Sequence, residues 1–99
     1  MCKTNIYFSL RRYNMKTRVA VMAIILESKE NAEQLNAVLH DYREYILGRM
    51  GLPYTKHEIN IISVALDAPQ DIINSLAGKI GRIEGVNVKT AYSNNEYTV

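Results

Sequence analysis

The chain has 99 residues, 47% of them hydrophobic and 22% charged. That makes one small domain, large enough for a single core and too small for two. The net charge of +2 hides an asymmetry. Residues 1–18 carry five basic side chains (Lys3, Arg11, Arg12, Lys16, Arg18) and no acid, whereas residues 19–99 hold seven basic against ten acidic. The basic character therefore belongs to a leader and is poor evidence for nucleic-acid binding. The longest apolar run, residues 19–26, is eight residues, under half of the roughly 20 that a membrane-spanning helix needs. No signal-peptide pattern follows the N-terminus, so a cytoplasmic location is the expectation. A single cysteine, Cys2, forbids an internal disulfide and leaves no thiolate cluster for zinc or an iron–sulfur centre.

Residues 1–16 show no sustained period and are read as a basic leader, with Met15 as the natural start and residues 1–14 as an upstream extension. A competing reading makes Arg11-Arg12-Tyr13 an arm for a phosphate-rich partner. The folded domain is expected over residues 17–93, with 94–99 as a frayed tail. The β-branched, continuously apolar stretch at residues 18–26 predicts a strand buried on both faces. Ser28 suits an N-cap and Glu30 a first helical turn. Ala32, Leu35, Val38, Leu39, Tyr42, Tyr45 and Ile46 then recur at three- and four-residue spacing, predicting a helix that ends before Gly48.

Gly48, Gly51 and Pro53 within residues 46–54 fit an edge strand with a bulge or bend. Residues 59–66 form a second apolar strand. Asp67, a proline and Gln70 resemble a capping box opening a second helix, whose stripe is Ile72, Ile73, Leu76, Ala77 and Ile80. Residues 86–92 alternate as a half-buried strand.

The order βαββαβ predicts an α+β, ferredoxin-like sandwich: a four-stranded antiparallel sheet ordered fourth-first-third-second, with both helices on one face. Both central strands are apolar at odd and even positions alike, while two helices cover only one face. The second face calls for a partner, and sheet-to-sheet association of two copies supplies one. The residues assigned to that contact are Val21, Ala23, Ile61, Ser63 and Ala65, Ser63 being the polar interruption within the apolar run from Ile61 to Leu66.

No reaction is legible. His40 and His57 are seventeen positions apart, with no Cys or paired carboxylate at ligand spacing, so no metal and no other cofactor is assigned. Asp67 and Asp71 each have a structural reason at a helix N-terminus. Gly78-Lys-Ile-Gly81 follows a helix, whereas a phosphate cradle precedes one. The serines lack a glycine-flanked elbow. A non-enzymatic role follows.

Several blocks carry a specific resemblance: Thr17-Arg-Val-Ala-Val-Met-Ala-Ile-Ile-Leu-Glu27, Val38-Leu-His-Asp-Tyr42, Ile46-Leu-Gly-Arg-Met-Gly-Leu-Pro-Tyr54, Ile59-Asn-Ile-Ile-Ser-Val-Ala-Leu-Asp-Ala-Pro69, Leu76-Ala-Gly-Lys-Ile-Gly81 and Gly85-Val-Asn-Val-Lys-Thr90. Together they resemble the iron-only hydrogenase system regulator family, over about residues 17–92. The resemblance implies an ACT-like domain similar in fold to the C-terminal sensing domain of the nickel-responsive repressor, and a regulatory role near the hydrogenase. The histidine ligand set of that repressor has no counterpart here. The resulting expectation is a regulatory, homo-oligomeric binding module with a small-molecule ligand at the subunit boundary. The alternative is a DNA-associated transcriptional regulator that uses the leader.

Overall fold

The computed structural model describes residues 16–98. Four strands form one antiparallel sheet: β1 (Lys16–Leu26), β2 (Ile46–Tyr54), β3 (Ile59–Ala68) and β4 (Val86–Thr98). Two helices, α1 (Ala32–Asp41) and α2 (Gln70–Gly81), lie on one face. The spatial order is β2-β3-β1-β4, the expected arrangement with the two apolar strands in the centre.

Register decides which apolar side chains form the core. In β1 the even positions Ala20, Met22, Ile24 and Leu26 turn toward the helices, and in β3 Ile62, Val64, Leu66 and Ala68 do the same. They close on Leu35 and Leu39 of α1 and on Ile73, Leu76 and Ile80 of α2. All of these are fully or almost fully buried. The second helix's stripe and the Leu35–Leu39 part of the first pack in or against the core, because three- and four-residue spacing presents one face.

Four local readings are corrected. The first helix stops at Asp41, several residues earlier than its apolar period suggests. Tyr42 leaves helical geometry at φ −108°, ψ 16°, and a 3-10 turn over Arg43–Tyr45 leads directly into β2. Ile46 then pairs with Leu66, so an apolar residue at helical spacing is spent on the sheet. Second, Ser28 precedes a short 3-10 turn, Lys29–Asn31, and makes no side-chain cap bond. Asn31 ties this segment down by donating from Nδ2 to the Glu84 carbonyl at 2.6 Å.

Third, the capping box at Asp67 does not form. Asp67 lies within β3, and Pro69 is the N-cap, its carbonyl accepting from the Ile72 and Ile73 amides at 3.0 and 3.1 Å. Gln70 is released for tertiary bonds. Fourth, the stretch read as a frayed tail continues β4 to Thr98 by pairing with Lys16, Thr17 and Arg18. An irregularity between Arg18 and Ala20 inserts residues 93–95 opposite Val19. The isolated tail has no periodicity to announce a strand, and the extra length of β1 creates one.

Gly85 is required where α2 returns to the sheet. Its φ is +81°, and a Cβ there would stand 2.9 Å from the Ser28 Cβ. Its carbonyl accepts from the Glu27 amide at 2.7 Å, locking the end of β1 to the start of β4.

Candidate functional site: the open face of the sheet

The odd positions of β1 and β3 point away from the helices. Ladder pairs set Val21 beside Ala65, Ala23 beside Ser63 and Ile25 beside Ile61. All five residues selected from the sequence, Val21, Ala23, Ile61, Ser63 and Ala65, are thus brought together on the face without helices. Val21 is 41% exposed and Ile61 38%, large values for branched side chains on central strands.

The outer strands complete the surface. From β2, Leu52 stands opposite Ile61, Met50 opposite Ser63 and Gly48 opposite Ala65. From β4, Lys89 stands opposite Ala23 and Ala91 opposite Val21. Met50 and Leu52 are 69% and 61% exposed, forming a bulky ridge along the edge strand. The ridge flanks a shallow centre built from Ala23, Ser63, Ala65 and Ala91. The β2 contribution was missed from sequence, since two glycines and a proline obscure its alternation. Met50, Leu52 and Tyr54 at period two were the available signal.

The remaining candidates have other roles. His40 is exposed at the end of α1, and His57 sits in the β2–β3 turn, its ring edge-on to Tyr54 at 5.2 Å. Among the described residues no group of three or more His, Cys, Asp and Glu side chains is placed to hold a metal. No helix there is long and apolar enough to cross a membrane.

Of the basic leader, Lys3, Arg11 and Arg12 lie outside the described residues. Lys16 reaches Glu96 at 3.9 Å. Arg18 belongs to the fold: it donates to Gln70 Oε1 and the Ser93 carbonyl, each at 3.0 Å, and lies 4.4 Å over the Tyr92 ring. Gln70 also donates to the Tyr92 hydroxyl at 3.0 Å. This cluster holds the start of α2 against the β4 irregularity.

Tyr42 forms a second polar cluster between the helices. Its hydroxyl is 2.7 Å from Ser75 Oγ, and the Lys79 ammonium lies 5.0 Å from the ring centroid. The hydrogen bond from Ser75 and the nearby Lys79 charge pull the Tyr42 pKa below its ordinary value, outweighing burial and Asp41.

Comparison with known proteins agrees with this fold. TM1266 from Thermotoga maritima, a solved but uncharacterized protein, is 35% identical, with a TM-score of 0.74 over 77% of this chain and 96% of that one. A formyltetrahydrofolate deformylase from Pseudomonas putida KT2440 shares only the fold, at 14% identity and a TM-score of 0.58, and the match covers 30% of its length. No functionally curated protein shows significant similarity to the chain. Residues 18–90 match the TM1266-like family of proposed iron-only hydrogenase system regulators, and the chain belongs to that family.

Proposed function

We propose that this protein is a non-enzymatic regulatory module of an iron-only hydrogenase system, acting as a homo-oligomer assembled through the open face of its sheet. The continuous apolar surface from Met50 and Leu52 across Ile61 to Val21 carries this reading. Each large side chain moved from exposure to full burial contributes roughly 1.5–3 kcal/mol. In this reading a twofold rotation sets the β2 ridge of one copy against the small-residue centre of the other, so that one surface patch serves both copies. A small ligand at the subunit boundary, the sensing half of the reading, fits a regulator that must respond to something.

Size-exclusion chromatography with light scattering tests the assembly. The unaltered chain is expected to be a dimer or larger at micromolar concentration, and Ala23→Glu to be a folded monomer. A monomeric parent, or a variant of unchanged mass, refutes the interface.

A second reading rests on Lys3, Arg11 and Arg12 in a stretch without acids: a DNA-associated transcriptional regulator. It requires salt-sensitive DNA binding that weakens on deletion of residues 1–14. Equal binding by the deleted chain dismisses it.

A further inference from the structure

On the helix side, α1 does not cover the outer strand. Arg49, Gly51 and Pro53 of β2 face the same side as the buried Val64 and Ile62, and a groove runs between this strand and α1. It has two halves. One, of about 300 Å³, is lined chiefly by Leu26, Leu35, Ile62, Gly51 and Pro53. The other, of about 290 Å³, is lined by Leu39, Ile46, His40, Arg43 and Arg49. Asn36 and Arg49 line both halves, joined by a 2.6 Å bond from Arg49 Nη2 to Asn36 Oδ1.

The charge arrangement is one-sided. Among the described residues no carboxylate lines either half. The Arg43 guanidinium donates to the His40 carbonyl and the Arg49 guanidinium to Asn36. Neither forms an ion pair among those residues, where Lys16–Glu96 is the pair found. Two guanidinium groups with donors to spare therefore converge at one end of a groove whose other end is aliphatic. The gap at the apolar end has a local cause: a Cβ added at Gly51 would meet nothing within 4 Å.

We infer that this groove binds a small organic anion, with its carboxylate or phosphate held by Arg43 and Arg49 and its short apolar body lying over Gly51 against Leu35 and Ile62. Arginine suits such a head group because its planar fork donates two parallel bonds to an oxyanion. Each half alone, at about 300 and 290 Å³, is at the lower limit for ligand pockets, so the two together suit a small metabolite. The inference takes from the function proposed above only that a small ligand is sensed; it puts that ligand on the helix side of the sheet, away from the subunit boundary, and is independent of the sheet interface, so the two fail separately.

Amide correlation spectra of the full chain, titrated with sodium hexanoate, hexan-1-ol and inorganic phosphate, test it. Hexanoate is expected to shift Asn36, Leu39, Arg49 and Gly51, and to bind about tenfold more tightly than hexan-1-ol, which lacks the charge. Phosphate, which lacks the apolar body, is expected to bind more weakly than hexanoate at the Arg43 and Arg49 end. Arg49→Gln should lower hexanoate affinity about tenfold, with the oligomeric mass unchanged. Gly51→Val, which places methyl groups in the open space, should weaken hexanoate more than phosphate. The inference is overturned by an absence of shifts, by shifts confined to the open sheet face, by equal affinity for hexanoate and hexan-1-ol, or by an Arg49→Gln variant that binds as the parent does. Ala23→Glu should leave hexanoate binding intact.

Discussion

The two faces of the sheet are built from the same strands and nearly the same residue types, yet their fates differ. Met22, Ile24, Val64 and Leu66 have no exposed surface, while one position away Val21 and Ile61 keep about two-fifths of theirs. The difference comes from coverage, since β geometry sends neighbours to opposite sides and both helices lie on one of them. Hydrophobicity in a central strand therefore does not by itself mean core. Here it marks two surfaces, one closed within the chain and one that the chain's own helices leave exposed.

The most severe way to break that comparison is to truncate matched neighbours. Leu66→Ala should destabilise the protein by about 2–5 kcal/mol, since it leaves a cavity under both helices. Ile61→Ala should cost under about 1 kcal/mol in the isolated protomer. If the open face is an interface, it should also weaken the dependence of stability on protein concentration. Urea denaturation at two protein concentrations reads both quantities. Equal losses for the two variants in the monomer would erase the distinction between the faces.

A milder test probes the helix side through Tyr42. Its folded pKa lies below the unfolded value of 10.0. Its ionisation therefore contributes stability that is fully present above pH 10 and is lost as pH falls through the folded pKa, leaving nothing at neutrality. Ultraviolet titration should show a tyrosine ionising below the ordinary value, a transition absent in Tyr42→Phe and delayed in Ser75→Ala and Lys79→Gln. An unchanged first transition in Tyr42→Phe would assign it to another residue. The smallest effect is expected in the β2–β3 turn, where Glu58 holds φ at 57°. Glu58→Gly should stabilise by up to about 1 kcal/mol in thermal melts, because glycine adopts that region without a Cβ clash. A destabilised variant would mean that Glu58 makes compensating contacts.

Much of this was legible from residue order. The residue 19–26 and 59–66 runs disclosed the central strands, and the stripe through Ile73, Leu76 and Ile80 disclosed the second helix, because these patterns are local. The open-face set Val21, Ala23, Ile61, Ser63 and Ala65 was legible too, by counting apolar positions against the area that two helices can cover. Other features were not. Tyr45 and Ile46 continue a helical period and yet belong to a turn and a strand, since pairing with β3 outweighs a weak local preference. Asp67 looks like a cap but lies in β3. Met50 and Leu52 were hidden among glycines. The groove could not be read at all, because Asn36, Arg43 and Arg49 meet only when α1 is laid beside β2.

The sequence by itself determined the βαββαβ order, the identity of the central strands and the surplus of apolar strand over helix. Each of these follows from short-range periodicity and from the alternation that a strand imposes. Only the tertiary structure decided where helix gives way to strand near Tyr42, how far β4 runs along β1, and how ridge, hollow and groove are arranged. Those depend on cross-strand register and on the distance between α1 and β2, which no local run of residues encodes.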